Sequence, residues 1–215
     1  MTQQTITPHL WFASEAVAAA EFYSTVFPDS QVTFISQIRD TPSGDTDIVG
    51  FRIMGYDFRA ISAGPVFTIN PSISFHARFS TAEEVDAIWA KLAPGGFVMM
   101  ELGEYPFSKR YGWVQDKFGV SWQVICTEGD FSQRIMPALM FTNAVCGQAE
   151  AAMNFYASIF PGSTAQVLAR YENGEEPDAA GTVKYAQLML AGQEFSAMDS
   201  AWPHDFAFNE AVSLM

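Results

Sequence analysis

The sequence predicts an α+β fold of tandem βαβββ modules, and three observations predict it. The chain repeats itself: Ile6–Phe12 matches Ile135–Phe141 at an offset of 129, and Phe22–Ser30 matches Phe155–Ser163 at an offset of 133. Within each repeat the hydrophobic period switches from a short apolar run to a helical stripe and then to strand-like runs. The composition is that of a chain with much to bury, 49% hydrophobic and 14% aromatic with only 16% charged, so intrinsic disorder is excluded.

The elements follow in order. Residues 6–13 are short and apolar, as a buried strand requires. Ala19, Phe22, Tyr23, Val26 and Phe27 then fall on one helix face, and Pro28 ends that helix. Strands are expected near 31–38, 48–54 and 57–63. The pattern recurs from Ser72, with a strand over 72–79 and a stripe of Val85, Ile88, Trp89 and Leu92. Thr81 and Glu84 are spaced as a capping box, Gly95-Gly96 closes the helix, and strands follow near 97–101, 111–115 and 120–126. In the second copy Ala152, Phe155, Tyr156, Ile159 and Phe160 repeat the first stripe, and Gly192, Phe195 and Ala197 echo Gly55, Phe58 and Ala60. The expected organisation is a two-module domain over 1–130 (modules about 1–66 and 67–130), a linker at Gly129–Gln133, and a C-terminally incomplete domain over 131–215. The latter holds one module and an opening strand within Asn209–Met215.

Eleven basic against 24 acidic residues leave a net charge of −13. Nucleic acid is therefore not an expected partner, because phosphates need a basic face. Met1–Pro8 has neither the basic run nor the apolar stretch of a secretory signal, and nothing approaches the roughly 18–20 apolar residues of a membrane helix. Cys126 and Cys146 show no metal spacing and read as free, buried thiols, or as a redox site if one is exposed. A cytoplasmic location without membrane contact is expected.

Leu10–Phe12, Phe22–Ser30, Glu83–Leu92 and Gly112–Gln123, taken jointly, resemble the PhnB-like branch of the glyoxalase/bleomycin-resistance/dioxygenase (vicinal oxygen chelate, VOC) superfamily. That branch often carries the description 3-demethylubiquinone-9 3-methyltransferase-like. The resemblance implies curled mixed sheets forming a cup, within a chain or across a dimer. It also implies metal ligands from the first strand of each module and the last strand of the second. Those positions fall on His9, Ser72 and Gln123 in the first copy, and on Ala138 and Ala211 for the first two in the second. One imidazole, one hydroxyl and one amide make a poor zinc set, so no cofactor is expected and a divalent metal is disfavoured. The methyltransferase label gains nothing from the residues, which include no Gly-rich nucleotide loop between a strand and a helix.

Strand alternation sorts the remaining candidates. If His9 faces the cup, so does Trp11; Ser72 brings Ser74, His76 and Arg78, and Gln123 brings Ser121. The candidate catalytic residues are His9 and Gln123, and the candidate ligand-binding residues are Trp11, Ser72, His76, Arg78 and Ser121, an aromatic wall with a few polar groups. Each has a plainer reading: His9 on a backbone carbonyl, Trp11 as core, His76 as a structural histidine, Arg78 paired at the rim. Trp122 faces away from Gln123 and reads as packing, His204 as an incidental loop residue, and Glu172–Asp178 as a solvated acidic tip.

The expected function is a small-molecule-binding protein or a metal-independent enzyme. The alternatives are a metal-dependent glyoxalase- or extradiol-type enzyme with a degraded ligand set, and a non-catalytic drug-sequestering resistance protein, which the acidic charge mildly suits. The strand within Asn209–Met215 would be an isolated edge, left by a shortened coding region or covered by another subunit, and a homodimer is expected.

Overall fold

The computed structural model describes residues 4–129, 131 and 133–215. In chain order the elements are β1 (Pro8–Phe12), α1 (Ala16–Val26), β2 (Gln31–Thr41), β3 (Gly44–Ile53), β4 (Tyr56–Ser62), β5 (Ile73–Phe79), α2 (Ala82–Leu92), β6 (Phe97–Tyr105), β7 (Ser108–Gln115), β8 (Ser121–Cys126), β9 (Ile135–Thr142), α3 (Ala149–Ile159), β10 (Thr164–Arg170), β11 (Val183–Leu190), β12 (Gln193–Ser200) and β13 (Val212–Leu214). The βαβββ order read from the periodicity is therefore present three times. The Thr81–Glu84 capping box forms in full at the start of α2. Part of the expected linker, Asp130 and Ser132, lies outside the described residues. The chain divides into two compact units, the larger comprising Ile6–Asn70, Phe75–Ile135 and Asn209–Met215, the smaller Pro71–Ser74 and Met136–Phe208 with the chain start.

In the larger unit one sheet has the order β13-β1-β4-β3-β2 and another β5-β8-β7-β6. β1 runs parallel to β4, with Leu10 beside Ala60, while β4 and β3 pair antiparallel, with Phe58 beside Phe51. Leu10, Phe51, Phe58 and Ala60 are buried, so this face is the inner one. Phe58 meets Phe75 of β5 edge-on at 5.1 Å, and Phe75 lies 5.5 Å from Trp122 of β8. The two sheets thus share one aromatic core, into which α1 places Tyr23 against Trp122 at 5.3 Å.

Asp116, just after β7, sits within that core. Its Oδ2 accepts from the Tyr23 hydroxyl at 2.8 Å and from Trp122 Nε1 at 2.9 Å. Its Oδ1 accepts from the backbone N–H of Phe118 at 2.8 Å and of Val120 at 3.1 Å. Burial pushes the Asp116 carboxyl up while its four donors pull it down. Burial, and then the Asp116 charge, hold the Tyr23 phenol well above its usual value, so it remains a donor. Across the ladder from Val124, Gly112 lies under the ring of Trp89 on α2, where an added Cβ would fall 2.5 Å from the ring.

The smaller unit orders its strands β10-β11-β12-β9, with β12 and β9 parallel. Asp199 of β12 accepts from the N–H groups of Gly147 at 2.7 Å and Ala149 at 3.1 Å at the start of α3, and from Val183 N–H at 2.9 Å.

Two expectations are corrected. The C-terminal strand is not an isolated edge: β13 pairs antiparallel with β1 of its own chain, Ser213 beside His9, and Thr7 and Met215 exchange both backbone hydrogen bonds. The acidic loop is not wholly solvated, because Asp178 is buried and accepts from Ala201 N–H at 2.6 Å.

Replacing Asp116 with alanine leaves two side-chain and two backbone donors without their acceptor, each worth about 1–3 kcal/mol. Asp116→Ala is expected to lower stability by at least about 3 kcal/mol in urea titrations; a loss below about 1 kcal/mol would mean that water replaces the carboxylate and the node holds little together.

Candidate functional site

The face of β5-β8-β7 that points away from the core carries the polar residues. Ladder neighbours share a face, and Trp113 of β7 stands beside Gln123 of β8, with Gln115 beside Ser121. On β5 the core residues are Phe75, Ala77 and Phe79, which turns His76 and Arg78 to the opposite side. His76, Arg78, Tyr111, Trp113, Ser121 and Gln123 are all buried. The Tyr111 hydroxyl donates to Gln123 Oε1 at 2.6 Å, and Trp113 Nε1 donates to Ser121 Oγ at 2.7 Å. Burial raises the Tyr111 phenol, which keeps it a donor. Arg78 reaches the carbonyl of Gln133, and its guanidinium lies 5.4 Å from the Phe131 ring centre. Burial, with the Arg78 charge adding to it, pulls His76 down to about 3. This face therefore combines a fixed cation, a neutral imidazole, an oriented amide and aromatic walls.

His9 and Trp11 lie elsewhere. They stand on the outer face of the five-stranded sheet, with Arg59 beside His9 and Ile61 beside Trp11. Gly50 follows Arg59 across the next ladder, and Phe34 follows Gly50. The Phe34 ring closes over the space that a side chain at Gly50 would need, and Arg59 lies over that ring at 4.9 Å. Trp11 Nε1 donates to the Gly64 carbonyl at 2.8 Å, and its ring meets Phe67 edge-on at 5.1 Å. His9 is half-buried, which lowers its pKa.

The structure thus separates the residues that the sequence grouped in one cup. His9 with Trp11, and Gln123 with Ser121, His76 and Arg78, occupy opposite outer faces of the larger unit, with the Phe51–Phe58–Phe75–Trp122 core between them. Ser72 falls in the smaller unit, buried, its carbonyl accepting from Met140 N–H at 2.8 Å. Strand alternation assigns a residue to a face but not to a sheet, which is why the grouping failed. Tyr111 and Trp113 were the residues missed; they share the period-2 alternation of β7 with Gln115, a signal present in the sequence.

The implied metal does not fit these residues. His9 and Gln123 cannot reach one ion across the core, Gln123 Oε1 is engaged by a phenol that stays protonated, and no three His, Cys, Asp or Glu side chains among the described residues are grouped to hold an ion. Cys126 is buried and Cys146 half-buried, both free. His204 joins Ser200 Oγ at 2.8 Å on the loop after β12. No helix among the described residues is long and apolar enough to cross a membrane.

Mixed sheets built from βαβββ units define a glyoxalase-type VOC fold. Glyoxalase I from Zea mays superposes with a TM-score of 0.59 at 14% identity, covering 94% of this chain and 71% of that one. A PhnB protein from Bacillus cereus is 37% identical over 57% of this chain and 98% of its own, with a TM-score of 0.53. The family model described as 3-demethylubiquinone-9 3-methyltransferase matches residues 4–125 and 133–215, and the chain belongs to that family. No curated protein matches it. Family and fold together support a small-molecule-binding or enzymatic role.

His76 supplies a pH test. In the fold it stays neutral down to about 3, whereas in the unfolded chain it takes a proton below about 6.5. Its contribution is therefore intact above about pH 6.5 and lost as the pH falls toward 3. Between pH 7 and 5 the loss is about 2 kcal/mol. His76→Gln should flatten the fall in urea stability over that interval, and an unchanged slope would remove His76 as its cause.

Proposed function

We propose that this protein is a small-molecule-binding protein or a metal-independent enzyme whose ligand lies on the β5-β8-β7 face and carries an anionic group. The observation that supports this reading is the presence of Arg78, His76 and Gln123 on one buried face walled by Trp113 and Tyr111. A guanidinium recognises a carboxylate or similar anion through paired N–H donors. His76, neutral down to about 3, is too weak a base to take a substrate proton at neutral pH and serves as a hydrogen-bonding partner. Tyr111 fixes the Gln123 amide so that it orients the ligand. Ser121, held by Trp113, completes the wall.

His9 is the better general base, because it is half-buried and its pKa is lowered only by that burial. Any proton transfer by His9 belongs to the outer face of the five-stranded sheet, where Arg59 is its register neighbour and Trp11 and Phe34 provide aromatic surface. The same reading takes the protein as a cytoplasmic homodimer.

A thermal-shift screen with small mono- and dicarboxylates and carbonyl compounds tests the ligand class. A ligand at a hundred times its Kd should stabilise the protein by about 2.7 kcal/mol, and Arg78→Gln should abolish the shift. A hit that stabilises Arg78→Gln equally, or a response confined to cationic compounds, would overturn the anion reading. Nickel, zinc, manganese and iron salts are expected to leave the melting temperature unchanged; stoichiometric divalent metal in protein purified without chelator would overturn the metal-independent reading.

A further inference from the structure

Across the five-stranded sheet the row of register neighbours through His9 reads Ser213, His9, Arg59, Gly50 and Phe34. The repeat supplies a control for that row. Its equivalent in the smaller unit reads Ala138, Ser196, Gln187 and Gln166 across β9, β12, β11 and β10. The fold itself therefore requires neither an imidazole, a cation nor a glycine at these positions. The backbone of Gly50 is not in the left-handed region that calls for glycine, and Gln187 shows that the same place in a strand accepts a side chain. What Gly50 provides is space. A Cβ there would strike the ring of Phe34, and Arg59 lies over that ring at 4.9 Å.

Arg59 is a cation held without an anion. Its Nη1 donates to the Phe58 carbonyl at 3.2 Å, and it forms no ion pair with any described residue. Asp57, the one carboxylate of β4, is engaged by Arg52 through hydrogen bonds of 2.7 and 3.0 Å. In a chain with 24 acidic against 11 basic residues, a half-buried arginine left without a carboxylate is out of keeping with a role in surface pairing. Beside it on the same face, Ile61 and Ile48 are register neighbours and half-buried. They form an apolar floor two strands wide, roughly 10 Å. Trp11 borders that floor on β1, and Phe34, 39% exposed, borders it on β2.

We infer that this outer face of the five-stranded sheet is a second binding site, which takes a planar aromatic anion with its charged group on Arg59 and its ring over Ile61 and Ile48, between Trp11 and Phe34. With one side of the guanidinium against the Phe34 ring, its edge, where the paired N–H donors lie, is left for the anion. His9 on the neighbouring strand adds a ring nitrogen to the same group. An anion without a ring would leave the aromatic borders unused, and a ring without a charge would leave Arg59 unmatched. The inference deepens the reading above that places proton transfer by His9 on this face, by naming what binds there. It is independent of the ligand assigned to the β5-β8-β7 face.

Calorimetric titration of the full chain with benzenesulfonate tests it, because this probe joins ring and charge and stays anionic at any working pH. Saturable binding to the wild type is expected. Methanesulfonate, which lacks the ring, and benzenesulfonamide, which lacks the charge, should each bind at least about tenfold more weakly. Arg59→Gln should weaken benzenesulfonate at least about tenfold, while Arg78→Gln should leave it unchanged. Phe34→Leu should narrow the preference for benzenesulfonate over methanesulfonate several-fold, on the order of one aromatic contact, and serves if Arg59→Gln does not fold. No binding of benzenesulfonate at millimolar concentration, or equal binding of methanesulfonate, overturns the site. Binding that survives Arg59→Gln and is lost in Arg78→Gln also overturns it, and leaves the β5-β8-β7 reading standing. A carboxylate screen that finds no dependence on Arg78 overturns that other reading, and binding of benzenesulfonate that depends on Arg59 upholds this one regardless.

Discussion

The larger unit is organised around one buried carboxylate. Asp116 receives a hydroxyl from α1, an indole from β8 and two N–H groups from the turn that joins β7 to β8. A carboxylate is costly to bury unless its oxygens are satisfied. Here they are satisfied by groups from two different modules, so the module interface is specified as well as apolar. Aromatic packing alone would let Tyr23 and Trp122 slide against one another. The shared acceptor fixes their separation, and with it the orientation of β8, which presents Trp122 to the core and Gln123 to the opposite face.

This node explains why the Gly112–Gln123 stretch is so distinctive a signature. Its members divide between two tasks. Gly112 gives Trp89 room to lie on the sheet, while Asp116 and Trp122 build the node. Trp113, Ser121 and Gln123 look the other way and form the polar wall. One motif therefore joins the core to the candidate site, and a change on the core side reaches the site through a single strand.

Much of this was legible in the sequence. The internal match set the modules, the helical stripes found α1, α2 and α3, and the Thr81–Glu84 spacing located a cap. The strands read from 31–38 and 97–101 were too short, because β2 and β6 continue through irregular pairings that mix their periodicity. The site was legible only in part. His76, Arg78, Ser121 and Gln123 were assigned to one face by alternation, but His9 and Trp11 were joined to them through an analogy in which β1 and β8 share a cup. Which sheet a strand enters depends on its long-range partners, and β1 pairs with β4 and β13. The buried role of Asp178 was invisible because its partner, Ala201, lies on a distant turn.

The pairing of β1 with β13 has a consequence for synthesis. About two hundred residues separate the two strands, and ribosomes add roughly 5–20 residues each second. For about 10–40 s β1 stands outside the ribosome with the edge that β13 will cover still open. The sheet closes only after Val212–Leu214 have left the ribosome, so a nascent chain stalled earlier would present that edge to chaperones or to neighbouring chains on the same message.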